Sequence, residues 1–209
     1  TIASIQEAIR AKQITTVSLV EMYLSRIKAY NGTCVNEPQG ILSPITTIPN
    51  AGQINALSTL NLRPAARKKW GFPDRKARSL TDAADSSPSL PDALEAAAEQ
   101  DKRFAATGRF VGPLHGVVMA IKDQYDTADM RTTSGGDAQY ANDRPPDDAT
   151  FVRRLREAGA IILARRISRS TRWMAHAARS VAPSAIRMTP SASPGCRAPA
   201  PPVPSRQIW

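Results

Sequence analysis

Lys122 is the residue of this sequence whose type and position could most directly carry chemistry. It follows the apolar run VVMAI at residues 117–121, and a lysine amine can accept a proton when it is neutral, a form that apolar surroundings favour. The alternative is a lysine whose stem lies along a strand while its ammonium reaches water. Position alone favours that second role, so the choice depends on what surrounds Lys122.

Three other side chains are candidates for chemistry. Ser134, in the glycine-rich stretch TTSGG, could be the nucleophile of a small enzyme, although a turn accounts better for these residues. His115 precedes Gly116 in a predicted loop and has no acid or serine at a known spacing, which favours a structural histidine. His176 lies in a basic tail. TSGG lacks the length and the lysine of a phosphate-binding loop, so no nucleotide site is predicted.

The two cysteines, Cys34 and Cys196, lie far apart and have no second ligand at metal spacing. Neither a zinc site nor a disulfide framework is indicated, and we expect no cofactor. The apolar runs are too short to cross a bilayer, which predicts a soluble protein. Because Asn31-Gly32-Thr33 would be a glycosylation acceptor in a secreted protein, both a cytoplasmic and a secreted location stay open.

The charge of the chain is concentrated at one end. The formal net charge is +10, but residues 164–209 hold 8 Arg, no Lys and no acid, whereas all 18 acidic residues precede them. A basic run, RPAARKKWGFPDRKAR at residues 63–78, is predicted to be a solvated loop or a short helix surface rather than a nucleic-acid site. The alternative function is a basic binding module that acts through the Arg-rich tail.

Five predicted elements surround Lys122. Helical periodicity indicates a helix at residues 17–30 capped by Thr15 or Thr16, and a second at 91–106 with Pro91 in its first turn and Gly108 beyond its end. A strand at 117–121 is followed by a helix capped by Asp147 or Asp148, and then by the strand AIILA. Strand, helix and strand in that order predict an α/β fold with a right-handed parallel crossover.

The predicted order of strand, helix and strand places Lys122 where functional groups are common. Ligand-binding and catalytic groups in open α/β sheets gather at the carboxyl ends of the strands, which is where Lys122 falls.

The same residues resemble a known family. The stretch GPLHGVVMAIKDQYDTADMRTTSG, followed by RPPDDATFVRRLREAGAIILA, is similar to the amidase signature family, in which a strand ending in lysine precedes a DATVVxRLRxAGAIILAK-type helix and strand. The helix at 17–30, the segment QINAL and the helix at 91–106 also match its amino-terminal part. The resemblance covers roughly residues 2–163, and about 61–89 reads as an insertion.

The resemblance implies a layered α/β/α fold around a mixed sheet and a catalytic triad of serine, cis-peptide serine and lysine. Lys122 would be the base, and the substrate would be a small-molecule amide whose carbon–nitrogen bond is hydrolysed through an acyl-enzyme. Backbone N–H groups would stabilise the oxyanion, and no metal would be required. The identity of the amide and the oligomeric state are not predicted.

The resemblance stops after Ala164. The family continues with an Asn-Leu-x-Glu-type segment and a Gly/Ser-rich stretch that carries both serines, neither of which is found in residues 164–209. We therefore predict two parts: residues 1–163, the amino-terminal part of an amidase-signature domain, and residues 164–209, a disordered Arg/Pro/Ala/Ser-rich tail read out of frame. A chain without both serines is expected to be inactive. Neither nucleic-acid binding nor a membrane span is expected.

Overall fold

The computed structural model describes residues 1–30, 35–36, 46–47, 57–133 and 144–166. The helices are α1 (Ile2–Arg10), α2 (Thr16–Tyr30), α3 (Pro64–Lys69), α4 (Ala93–Thr107) and α5 (Thr150–Glu157), with a 3₁₀ turn at Asp74–Lys76. The strands are β1 (Val35–Asn36), β2 (Thr46–Thr47), β3 (Leu57–Leu60), β4 (Val118–Lys122) and β5 (Ile161–Arg166).

A mixed sheet with the strand order β3-β5-β4 organises the molecule. β4 and β5 are parallel and are connected through α5, which confirms the predicted crossover and the α/β class. The handedness of that crossover stays a prediction. β3 runs antiparallel to β5. β1 and β2 form a separate antiparallel pair.

Helices cover both faces of the central strand β5. Ile161 and Leu163 belong to a core cluster with Val20 and Leu24 of α2 and with Ala97 of α4. The intervening Ile162 faces the other way and packs with Ile121 of β4 and Val152 of α5. Because successive side chains of a strand point to opposite faces, these two clusters lie on opposite sides of the sheet.

Both predicted long helices are confirmed, with one change at a cap. Thr15 accepts a hydrogen bond from the backbone N–H of Ser18 at 3.0 Å and lies directly before α2. Asp92 caps α4 by accepting from the backbone of Leu94 and Glu95, so Pro91 precedes the cap instead of lying in the first turn. Gly108 ends α4 with a φ of 64°, a conformation that glycine adopts without steric cost.

The predicted cap of α5 is wrong. The helix begins after Ala149, whose side chain offers no acceptor. Asp148 instead accepts from the backbone N–H of Ala128 at 2.9 Å and pairs with Arg156 at 2.9 Å. Its carboxylate therefore connects the loop before α5 to the segment after β4. Asp147 is exposed.

The stretch at 61–89 is packed into the domain. Leu62 and Phe72 are buried in the core cluster, and β3 directly precedes the stretch in the sheet. Its assignment as an insertion relative to the family stays a prediction. For the basic run at 63–78 within it, the predicted short helix is present as α3, whereas a solvated loop is wrong for the buried Arg67, Lys76 and Arg78. The residues of this stretch are buried because tertiary contacts hold them: they have no periodic pattern of their own, and they fold against a sheet to which other segments contribute.

β5 extends to Arg166, beyond the predicted domain boundary at residue 163. The remainder of the proposed tail lies outside the described residues. Among the described helices, none has the length and apolar character needed to cross a membrane.

Candidate functional site

Lys122 is the last residue of β4. In the parallel register its partner is Arg166 of β5, and the next backbone N–H, that of Asp123, donates to the carbonyl of Arg166 at 2.9 Å. Lys122 is half-buried. Its predicted position at the carboxyl end of a parallel strand is thereby confirmed, while its role as a base stays a prediction.

The side chain of Lys122 has no hydrogen bond or ion pair within the described part of the chain. Its backbone is held more firmly, since its carbonyl accepts from the N–H of Tyr125 at 3.1 Å and closes a turn directly after the strand. The placement of the amine is thus set by the backbone and not by a partner for the ammonium group.

A buried ion pair lies immediately beside Lys122. The guanidinium of Arg165, which is fully buried, donates from Nε to Oδ1 of Asp123 at 2.7 Å. It also donates to the hydroxyl of Thr127 at 2.6 Å and to the carbonyl of Tyr125 at 2.7 Å. Thr133 donates a further hydrogen bond to the second oxygen of Asp123. One side chain of β5 therefore holds three points of the segment after β4.

Sequence reasoning missed this pair. Arg165 was assigned to the basic tail because it follows the apolar strand and begins an acid-free region. The signal that could have revealed it was local: Asp123 comes directly after the end of one parallel strand and Arg165 lies near the end of the next, so the two ends meet at one edge of the sheet.

His115 lies in an aromatic pocket. Its ring stacks on Phe110 with centroids 4.5 Å apart and contacts Phe104 at 5.9 Å. Nδ1 accepts from the backbone N–H of Val111 at 3.4 Å, and Nε2 is buried without a partner among the described residues. Burial lowers the pKa of His115, and the carboxylate of Asp101 offsets part of that shift. These surroundings support a structural histidine.

The remaining candidates cannot be placed. Ser134, His176, Cys34 and Cys196 all lie outside the described residues. The distance between Ser134 and Lys122, on which the small-enzyme alternative depends, is therefore open. Within the described ranges no cluster of three or more metal-ligating side chains is found.

The basic run at 63–78 is less accessible to an anionic partner than its composition indicates. Arg67, Lys76 and Arg78 are buried. Arg67 pairs with Asp74 at 2.6 Å, and Lys76 donates to the carbonyl of Leu57 at 2.5 Å. Burial, together with the positive charge of Arg75, lowers the pKa of Lys76 to about 8. These three basic side chains are therefore buried inside the domain and are not available to an anionic partner.

Arg78 belongs to a buried polar network that the sequence did not reveal. Its guanidinium pairs with Asp85 at 2.7 Å and donates to the side chain of Asn61 at 3.1 Å. Asn61 in turn donates to Asp129, and Asp129 pairs with Arg156 of α5, each at 2.8 Å. The network therefore connects the stretch at 61–89 to the segment that follows Lys122.

Comparisons with known proteins agree with this architecture. Residues 76–174 match the family model for amidases. The chain is 46% identical over 70 residues to an amidase of Gibberella zeae and 49% identical over 71 residues to a glutamyl-tRNA(Gln) amidotransferase subunit from Salinispora tropica. A solved structure of the native peptide amidase from Stenotrophomonas maltophilia superposes with a TM-score of 0.52 at 29% identity.

The matches are partial on both sides. The two sequence matches each cover 34% of this chain, and they cover 13% of the fungal amidase and 14% of the bacterial amidotransferase protein. The structural match covers 79% of this chain and 24% of the peptide amidase. The chain thus spans a small fraction of these relatives. The family match continues to residue 174, beyond Ala164, where the resemblance was predicted to end.

Proposed function

We propose that this chain carries an amino-terminal portion of an amidase-family enzyme, and that this portion supplies the lysine base for hydrolysis of a carbon–nitrogen amide bond. Lys122 is the proposed base. The observation that carries the proposal is its position as the last residue of β4, within the matched region and beside the parallel strand β5.

The proposed reaction needs two serines in addition to the lysine. Neutral Lys122 accepts a proton from a bridging serine, which takes one from the nucleophilic serine as that oxygen attacks the amide carbonyl. Collapse of the tetrahedral intermediate breaks the C–N bond, and the departing amine takes up a proton. Water then hydrolyses the acyl-enzyme, which restores the serine. The substrate class proposed is a small-molecule amide.

The 209-residue polypeptide itself is proposed to be inactive. The stretch after Ala164 contains no Gly/Ser-rich segment with a paired serine of the family type. A base without its nucleophile leaves the acyl-transfer step without an attacking atom.

We further propose that the tail is an out-of-frame reading of an amidase gene. Permitted codons for Ala164 to Ala175, read two bases later, give AKNLAEYAMDG, which resembles the family's next segment. Trp173 and Met174 have single codons, and with Ala175 they fix the final Asp-Gly of that peptide. In the same register, permitted codons for Cys196 to Trp209 give SSSGAAGAVAANM, a serine-rich stretch. We place the change of register directly after Ala164, because the sequence beyond it contains neither an acidic residue nor a lysine. The family match, which extends to residue 174, includes the first part of the tail.

Nucleotide sequencing across the Ala164 codon tests the frame. The expected result is an open register, two bases later, that encodes a Ser-Ser-Gly-type stretch opposite residues 196–201. A stop codon in that register within the tail, or the absence of such a stretch, would contradict the proposal.

Ammonia release from amino-acid amides and aryl amides tests the function. The 209-residue chain should give only background, while the frame-restored protein should turn over at least one amide. In the restored protein, Lys122→Ala should reduce kcat by about a thousandfold or more, since a general base typically contributes that order of rate. Lys102→Ala, on the exposed surface of α4, is the matched control. A restored enzyme that is indifferent to Lys122→Ala would exclude the proposed base.

A further inference from the structure

Arg165 holds the segment that follows Lys122 at three separate atoms. Its Nε contacts the carboxylate of Asp123, and its two terminal nitrogens contact the hydroxyl of Thr127 and the carbonyl of Tyr125. All three acceptors lie within five residues of Lys122. The guanidinium is planar and carries its donors in a fixed fork, so these contacts constrain the course of the backbone as well as its distance from β5.

We propose that the cationic side chain at position 165, an arginine in this chain, is a positioning residue for Lys122 through its buried pair with Asp123. The amine of Lys122 has no hydrogen-bonding partner within the described ranges, so its direction depends on the backbone that carries it. The backbone before Lys122 is fixed by the pairing of β4 with β5. The backbone after it is fixed by the hydrogen bonds that Arg165 donates. This inference rests on the proposed role of Lys122 as a base.

Charge and burial make the contact sensitive to the loss of either partner. The side chains of Arg165 and Asp123 are 0% and 3% exposed. Removal of one leaves the other as an uncompensated buried charge, which is strongly unfavourable. The segment at 123–127 should then open to water, and Lys122 should lose its fixed direction while the rest of the domain stays folded.

In the proposed second reading frame of the gene, position 165 also carries a cationic residue. In the peptide AKNLAEYAMDG the residue at position 165 is a lysine, which can still pair with Asp123 but lacks the fork that reaches Thr127 and Tyr125. Arg165→Lys in the present chain is therefore both the conservative variant and a copy of the pair expected in the frame-restored protein.

Trace acetylation of the 209-residue chain by acetic anhydride, read at each lysine by mass spectrometry, tests the proposal. Arg165→Met and Asp123→Asn should each raise the acetylation rate of Lys122 several-fold, because local opening exposes the segment that carries it. Arg165→Lys keeps the pair with Asp123 but loses the contacts to Thr127 and Tyr125, so its rate should lie between those of the unmodified chain and of Arg165→Met. An effect of charge alone would change the acetylation rate of Lys122 in opposite directions in Arg165→Met and Asp123→Asn, because the first removes a cation and the second an anion.

Two controls separate local opening from unfolding. Lys76 is buried in another part of the domain, and its acetylation should stay unchanged in the Arg165 and Asp123 variants. Arg67→Met removes another buried arginine, whose guanidinium pairs with Asp74 and lies outside both the segment at 123–127 and the network of Arg78. This variant should leave the acetylation rate of Lys122 unchanged relative to that of Lys76.

The proposal fails if Lys122 does not respond to Arg165→Met. It also fails if the acetylation rates of Lys122 and Lys76 rise together and Arg165→Lys does not lower them. A third contrary result is that Arg165→Met and Asp123→Asn change the acetylation rate of Lys122 in opposite directions. None of these results bears on the proposed base, which is tested by the activity of the frame-restored protein with Lys122→Ala.

Discussion

His115 shows how burial and a single hydrogen bond favour the neutral form of a side chain. Its Nδ1 accepts from the N–H of Val111, so the proton of the neutral ring lies on Nε2, which is buried without a partner among the described residues. The guanidinium of Arg10 already lies 4.5 Å from the centre of the Phe110 ring on which His115 stacks. A protonated imidazole would place a second cation against that ring and lose the Val111 contact.

The folded domain should therefore lose stability in mild acid. Burial, only partly offset by Asp101, lowers the pKa of His115 in the folded state, whereas the unfolded chain regains a value of about 6.5. Below about pH 6.5 the unfolded chain binds more protons, so the free energy of unfolding falls as the pH falls, by at most about 1.4 kcal/mol per unit for this one group. Denaturant titrations at pH 5, 6, 7 and 8 measure that slope.

His115→Phe should remove most of this slope, because the ring still stacks but no longer titrates. His176→Phe is the matched control, since the sequence contains only these two histidines. If His115→Phe kept the full slope between pH 5 and 7, another group would have to be its source.

Individual residues were predictable from the sequence where their role depends on an adjacent element. Lys122 could be placed because an apolar strand leads directly to it. Arg78 and Arg165 could not be placed, since a cation becomes an interior residue only through a carboxylate that folding brings to it. Asp85 and Asp123 supply those carboxylates, and composition alone assigns such arginines to the surface.

Side-chain caps mark the start of some helices of this chain, and Asp92 at the start of α4 forms a full capping box. Its carboxylate accepts from the N–H groups of Leu94, Glu95 and Arg63, and the carboxylate of Glu95 accepts from the backbone N–H of Asp92. Four otherwise unpaired donors are satisfied at one point, which connects α4 to the segment before α3.

Asp92→Ala should lower the free energy of unfolding by about 1–2 kcal/mol, the upper range for a lost cap. Asp147→Ala is its matched control, because Asp147 is an exposed aspartate near the start of α5 that does not cap it. Thermal or denaturant unfolding compares the two variants. Equal losses would mean that the capping box adds nothing beyond a surface charge.

Elements with a strong pattern of their own were predicted, and those that depend on partners were not. α2 and α4 have long apolar periodicity, and α4 ends at Gly108, so local sequence suffices to find them. β3 has only four residues, and its burial comes from pairing with β5. α1 precedes the first helix that was predicted, and its only buried residue is Ile9.

The sheet as a whole has an exposed flank. β4 is an edge strand, and no other described strand pairs with its outer side. Ala120 in the middle of β4 is exposed, and just beyond the strand Tyr125 and Phe151 form an exposed aromatic pair with centroids 5.3 Å apart. Unpaired backbone groups beside apolar side chains are a template for association.

The 209-residue chain should therefore self-associate or be only marginally stable. Ala120→Lys places a charge on the edge strand and should raise the soluble, monomeric fraction. Ala98→Lys adds the same charge on an exposed position of α4 and should have little effect. Sedimentation velocity measures both. A monodisperse monomer of the unmodified chain with one cooperative melting transition would contradict this prediction.

The strand order β3-β5-β4 also determines when the domain can form during synthesis. The middle strand is the last of the three to be made, and the contact between Asn61 and Ile162 spans 101 residues. Until the ribosome has delivered Ile161–Arg166, β3 and β4 have no strand between them, and Leu60 and Ile121 have no complete core to enter. Such long-range closure slows folding. A nascent chain arrested before residue 161 should therefore bind chaperones, whereas the proposed change of reading frame after Ala164 would leave Ile161–Ala164 of the central strand unchanged.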